Sequence, residues 1–254
     1  MPATSPPDGK PAVRLDRVAK TYPNGVAALA GLDLAVAAGE FLTLVGPSGC
    51  GKSTLLRLIA GLDRPSGGTV ARAATDLGFV FQDPTLMPWA DVAANIALPL
   101  VLARHPRAEI AARVDAMIAR VGLAGFAGAY PRELSGGLRM RVSIARALIT
   151  RPRLLLMDEP LSALDEISRF RLEDDLLALW REFGTTVVFV THSVFEAVYL
   201  STRVVVLTPR PGQIAADVPI DLPHPRGSAL RTDPAYAALC RRVGEALAAA
   251  GGTA

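Results

Sequence analysis

The apolar positions change period along the chain, and the changes mark out elements. Val13–Lys20 and Leu29–Val36 read as half-buried strands, whereas Phe41–Val45 is a continuous apolar run, as in a strand covered on both faces. A glycine-rich segment follows, and then Leu55, Leu56, Leu58 and Ile59 take up helical spacing. Leu77–Phe81 reads as another strand, ending at Gln82. Between residues 90 and 150 the pattern is helical: Ile110, Val114, Met117, Ile118 and Val121 form one stripe, and a second helix starts after Ser135 and runs through Met140, Ile144 and Ala147 to about Thr150. Strand and helix then alternate as Leu154–Met157, Arg169–Phe183, Thr186–Val190, Val194–Leu200 and Val204–Leu207. Buried strands alternating with helices predict an α/β fold on a mainly parallel sheet, carrying a helical insertion. Pro234–Ala250 reads as an Ala-rich surface helix without a chemical signal, and residues 1–11, with four prolines, as a loose tail.

Composition narrows the class. Half of the 254 residues are apolar and 20% are charged, which excludes a disordered chain. Lys and Arg number 27 against 24 Asp and Glu, a formal charge of +3, and the basic residues are scattered along the chain, so no nucleic-acid partner is expected. The mean hydropathy of +0.32 is carried largely by alanine. The apolar stretch Ala93–Ala103 is too short to cross a bilayer and contains Asn95 and Pro99. The N-terminus does not read as a secretory signal, and Cys50 and Cys240 offer neither a disulfide framework nor metal-ligand spacing. A cytoplasmic protein with room for a peripheral membrane role is expected.

Gly46-Pro47-Ser48-Gly49-Cys50-Gly51-Lys52-Ser53-Thr54 fits G-x-x-x-x-G-K-[ST] in the context that motif needs, after a strand and opening a helix. Glycines let successive backbone N–H groups turn around a polyphosphate, and the helix N-terminus adds its positive dipole end. Lys52 would reach the β- and γ-phosphates, and the Ser53 hydroxyl would ligate Mg²⁺. Only three lysines occur in the chain (Lys10, Lys20, Lys52), so a lysine here is an informative choice. Cys50 reads as a small filler rather than a nucleophile.

The strand Leu154–Met157 runs into Asp158 and Glu159. Ligands of parallel sheets sit at the carboxyl ends of the strands, so both acids should face the phosphate loop. Asp158 can hold the Mg²⁺ shell, and Glu159 can orient or deprotonate an attacking water. An isolated Asp-Glu pair would serve equally well to cap the next helix. His192 and Gln82 end two further strands of the same sheet. The histidine could bond a γ-phosphate, and the glutamine amide could reach Mg²⁺ or water. His105 and His224 lie beside prolines and are expected in surface loops.

Tyr22, GPSGCGKST, Gln82, Leu134-Ser135-Gly136-Gly137, LLLMDEP, Ser162-Ala163-Leu164-Asp165 and His192 stand in the order and spacing of an ABC-transporter ATPase subunit, which the chain resembles over roughly residues 13–220. The resemblance implies a P-loop ATPase cassette at 12–220, with an N-terminal antiparallel β subdomain, a helical subdomain at about 88–150, and a C-terminal extension at 221–254. It implies that Tyr22 stacks on adenine, that Gln82 senses Mg²⁺ and touches a membrane partner, and that Ser135, Gly136 and Gly137 bind the γ-phosphate held by a second, head-to-tail copy. Asp165 resembles the residue that communicates across that dimer, and His192 the switch histidine. ATP and Mg²⁺ are the implied cofactors. The implied partners are an integral membrane permease and, through it, an extracytoplasmic solute-binding protein, which places the chain peripherally on the cytoplasmic side of the inner membrane.

Leu138 departs from the pattern, where the family has glutamine after LSGG. The substitution loses a side-chain hydrogen bond but leaves the Ser135 hydroxyl and the backbone donors. The segments FVFQDPTLMPW and THSVFEAVYLSTRVVVLTPRPGQI resemble the nitrate/sulfonate/taurine/bicarbonate branch of bacterial importers. In the family the region around Thr85–Trp89 receives a helix of the permease, so Leu86, Met87 and Trp89 are expected at the surface; packing within the insertion is the alternative. A GTPase would need an N-K-x-D loop, and neither Asn24 nor Asn95 precedes a lysine. A soluble ABC ATPase acting on nucleic acid or ribosomes remains the competing class, although the second cassette, long coiled coil or basic arm usual there is missing from this sequence.

Overall fold

The computed structural model describes residues 10–251. Two sheets organise it. Strands β1 (Val13–Thr21), β2 (Ala27–Val36) and β4 (Gly67–Arg72) form an antiparallel sheet in the order β2-β1-β4. The second sheet has the order β5-β6-β7-β3-β8-β9, built from β3 (Phe41–Val45), β5 (Leu77–Val80), β6 (Leu154–Asp158), β7 (Thr186–Val190), β8 (Arg203–Leu207) and β9 (Ile214–Pro219). All neighbours in it are parallel except β9, which returns antiparallel along β8. Strands β3 and β7 are buried at every position, which is why they read as unbroken apolar runs rather than alternating ones.

Helix α1 (Lys52–Ala60) follows β3 directly and packs on β6 and β7 with Leu55, Leu56, Leu58 and Ile59 buried. Helices α2 (Val92–Leu102), α3 (Arg107–Arg120) and α4 (Gly136–Leu148) make up the helical region, with α2 packed on both others. Helices α5 (Glu166–Phe183) and α6 (Val194–Leu200) complete the αβ alternation. The order of the parallel strands brings the C-terminal ends of β3, β6 and β7 side by side, and the residues that follow them are Gly46, Glu159 and Thr191-His192.

Three elements escape the hydrophobic pattern. β4 is an exposed strand opening on Gly67-Gly68 and shows no clean alternation, whereas β9 alternates in burial but carries alanine at both an outward and an inward position (Ala215, Ala216), which hides the period in the sequence. α2 is apolar around most of its circumference and contains Pro99, which hides its period. Its buried Asn95 donates to the carbonyls of Met87, Ala90 and Asp91 and accepts from the Met87 N–H, tying the preceding loop to the helix. As a result Leu86 and Met87 are half-buried, and of the three side chains expected at this surface only Trp89, 77% exposed, stands free.

Two further expectations are corrected. Helix α7 (Pro234–Gly251) is not a plain surface helix: Tyr236, Cys240, Val243 and Ala250 form a buried stripe against α6, β8 and β9 and join the main core. His224 is no exposed loop residue either. Its ring lies 5.2 Å from Trp180, its nitrogens are buried without a hydrogen bond, and burial drives its pKa down to about 4. Residues 1–9 of the expected N-terminal tail lie outside the described residues.

Candidate functional site

The phosphate loop grows out of β3 under tight steric control. A Cβ at Gly46 would stand 2.8 Å from Cys50 Sγ, and Gly51 adopts φ 105°, where a Cβ would meet the Ala28 carbonyl oxygen at 2.8 Å. Only glycine satisfies both demands at residue 51. Gly51 also leaves α1 without a side-chain cap, so the first-turn N–H groups keep their capacity to bind an anion. Cys50 is buried and free, in keeping with a filler. Lys52, only 5% exposed, folds its ammonium back to donate to the carbonyls of Gly46 (2.7 Å) and Pro47 (3.0 Å). A buried ammonium needs such partners, and phosphate oxygens are the natural replacement.

The next residue joins the loop to the acids. Ser53 Oγ donates to Asp158 Oδ1 at 2.9 Å, so the hydroxyl and the carboxylate at the end of β6 converge as hard oxygen donors. Burial raises the pKa of Asp158; the Ser53 hydrogen bond opposes this, and the nearby Glu159 charge adds to it. Among the described residues no cluster of three His, Cys, Asp or Glu could hold a metal alone. Such a donor set suits Mg²⁺, which keeps few protein ligands and completes its shell with substrate phosphates and water.

Glu159 sits at φ 45°, a left-handed conformation unusual for a residue with a side chain. Its N–H donates to Val190 O at 3.0 Å, fixing it to the end of β7. Its Oε2 lies 3.2 Å from His192 Nδ1. Ser162 Oγ donates to the Glu159 carbonyl at 2.9 Å and accepts from Gln82 Nε2 at 3.5 Å, so Gln82 reaches the acids through Ser162 rather than directly.

Tyr22, from the end of β1, closes the other side, its hydroxyl 3.0 Å from Thr54 Oγ1. Tyr22, Ser48, Gly49, Gly51, Lys52, Ser53, Thr54 and Glu159 line one open cleft of about 250 Å³. Arg210, which the sequence patterns did not single out, lines it as well.

The remaining candidates lie elsewhere. Ser135 is the N-cap of α4, its Oγ accepting from the Leu138 N–H at 3.3 Å, so that backbone donor is already engaged within the chain. The Leu138 side chain packs against the core. Asp165 caps α5 by accepting from the Ser168 N–H at 2.9 Å, and hydrogen bonding from the Ser168 side chain, together with that backbone bond, keeps its carboxyl below the usual range. Gly137 faces Leu164 and Ser168. Ser135 and Gly137 border a second cavity of about 490 Å³ with Arg141, Arg171, Asp174 and Asp175, none of which lines the phosphate-loop cleft.

The comparisons with known proteins agree on the class. The ABC transporter family profile matches residues 29–162. An uncharacterized ABC transporter ATP-binding protein of Methanocaldococcus jannaschii is 51% identical over 210 residues, 80% of this chain and 79% of that one. The aliphatic sulfonates import ATP-binding protein SsuB of Bacillus subtilis is 47% identical over 222 residues, 85% of each chain. Among solved structures, the dimeric post-hydrolysis state of the ATP-binding cassette MJ0796 bound to ADP and Pi superposes with a TM-score of 0.73 at 33% identity, covering 85% of this chain and 99% of that one. With its P-loop cleft, its mixed sheet and these relatives, the chain belongs to the ABC transporter family of ATP-binding, ATP-hydrolysing proteins.

Proposed function

We propose that two copies of this chain hydrolyse ATP at shared interfaces to power import of a sulfonate-type organic anion through a membrane permease. The observation that carries the dimer is a division: the phosphate-loop cleft holds Lys52, Ser53 and Glu159, while Ser135 and Gly137 border a different cavity on another part of the chain. A head-to-tail pair would bring each Ser135 helix start onto the other copy's phosphates, where a helix N-terminus binds anions. The solute class is supported by 47% identity to a protein named for aliphatic sulfonate import.

The chemistry follows from the groups present. ATP would lie with its phosphates against the N–H groups of residues 49–54 and its adenine toward Tyr22, and Lys52 would exchange its loop carbonyls for phosphate oxygens. Ser53 and Asp158, with Gln82 beyond them, would hold Mg²⁺, which when bound neutralises phosphate charge. Glu159 would accept a hydrogen bond from the attacking water and take its proton as the oxygen adds in line to the γ-phosphorus. His192 would donate through Nε2–H to the γ-phosphate as charge develops, leaving Nδ1 to accept from Glu159 once that carboxyl has taken the water's proton.

Among the described residues no helix is long and apolar enough to cross a membrane, so the permease must supply the pathway. The exposed Trp89 lies on the loop that follows Gln82, a position from which a bound helix could act on the site. Growth with an alkanesulfonate as sole sulfur source tests the whole proposal. Deletion of the gene should abolish growth, restored by the wild-type chain and not by Glu159→Gln. Undiminished growth of the deletion strain would contradict the assigned solute.

A further inference from the structure

We propose that Arg210 is a second cationic contact to the nucleotide, binding its outer phosphates opposite Lys52; the inference rests on the phosphate-loop cleft being the ATP site. Arg210 lies in the turn between β8 and β9, more than 150 residues from the loop in sequence, yet the turn is seated on that loop. Gly212 donates to the Ala28 carbonyl at 2.9 Å and accepts from the Ala30 N–H at 3.2 Å. It presses so closely on the phosphate loop that a Cβ there would stand 2.2 Å from the Cys50 carbonyl oxygen. Thr208 braces the turn from inside, its hydroxyl accepting from the Gln213 N–H at 3.0 Å. The turn therefore holds its arginine at a fixed place on the rim of the cleft.

What the guanidinium does there is legible from its partners. Nε donates to the Gly49 carbonyl at 3.0 Å, and Nη2 lies 2.9 Å from where a Cβ on Gly49 would project. The glycine thus makes room for the arginine. Among the described residues no carboxylate stands within ion-pair distance of Arg210, and neither Nη atom has a hydrogen-bond partner. A lone staple to one carbonyl would not need a full charge. An exposed, unpaired fork anchored by Nε at the mouth of a phosphate cleft is disposed to bind phosphate oxygens.

The test measures Kd for ATP and for ADP, each with Mg²⁺, on the purified full chain and its variants. Arg210→Gln keeps a donor for Gly49 while removing the charge. It should raise the Kd for ATP about tenfold, the size of a charge-assisted hydrogen bond, and that for ADP by less, with Arg210→Lys falling between. Unchanged affinities would overturn the proposal. So would an equal weakening of ATP and ADP accompanied by a lower melting temperature of the nucleotide-free chain, which would mark a structural staple. Loss of ATP-dependent dimerisation with an unaltered Kd would also overturn it, assigning the guanidinium to the second copy. Lys52→Ala serves as the control on the site itself: normal ATP binding by that variant would refute the cleft assignment, a failure distinguishable from failure at Arg210 alone.

Discussion

His192 Nδ1 lies 3.2 Å from Glu159 Oε2, bridging the ends of two neighbouring strands of the parallel sheet. The carboxylate is three-quarters buried, the imidazole is largely exposed, and the Glu159 backbone is held at φ 45° by its bond to Val190. A strained residue kept in place by its neighbours, with its side chain at the mouth of a phosphate cleft, is suited to position a water.

Glu159→Gln should bind ATP with near-normal affinity and lose about 10²–10⁴-fold in kcat, the contribution of a positioned general base. Single-turnover hydrolysis measured alongside equilibrium binding separates the two effects. Turnover at the wild-type rate would remove Glu159 from the chemistry.

His192→Ala should lower kcat while leaving the Kd for ATP within about twofold, because the histidine touches the acid rather than the loop. A proportionate rise in Kd would instead make it a binding residue.

ATP should drive Glu159→Gln into a dimer that sediments as twice the monomer mass, and adding Ser135→Arg should abolish that dimer without changing the ATP affinity of the monomer. Ser135 borders no part of the phosphate-loop cleft in its own chain, so an effect on monomer binding would argue against a shared site.

Two buried titrating groups oppose each other in the stability profile. Burial raises Glu173 from 4.5 to about 7 despite its ion pair with Arg231 at 2.7 Å, and burial lowers His224 from 6.5 to about 4. Between pH 4.5 and 6.5 the folded chain holds the Glu173 proton that the unfolded chain has released, so that stability falls as pH rises. Over the same window the unfolded chain holds a His224 proton that the folded chain lacks, and stability rises. Glu173→Gln removes the falling contribution. Its denaturation midpoint should climb more steeply from pH 4.5 to 6.5 than that of the wild type; parallel profiles would contradict the raised Glu173.

The phosphate loop, the acids and most of the αβ alternation were legible because buried strands and a glycine-lysine loop leave local signatures. Phe41–Val45, Thr186–Val190 and Val194–Leu200 coincide with β3, β7 and α6 residue for residue. α2 was hidden because nearly all of its faces are apolar, and β4 because its glycines and exposure erase alternation. α7 looked like a surface helix because alanine dilutes its stripe of Tyr236, Cys240 and Val243. Ser162 stands in the Ser162-Ala163-Leu164-Asp165 motif, but its bridge to Gln82 is not legible there, and Arg210 has little local signal: each acquires its place only when the loop after β6 and the turn after β8 fold onto the site. A motif of the form R-P-G after a strand was the one visible hint of Arg210.

Affinity capture of the tagged chain from gently solubilised native membranes tests the central claim most directly. Recovery of a multi-spanning permease together with two copies of the chain, and ATPase activity lost in Glu159→Gln, is the predicted result. Recovery of a soluble homodimer alone, or of nucleic acid or ribosomes, would leave the ATP chemistry standing and contradict a role in import.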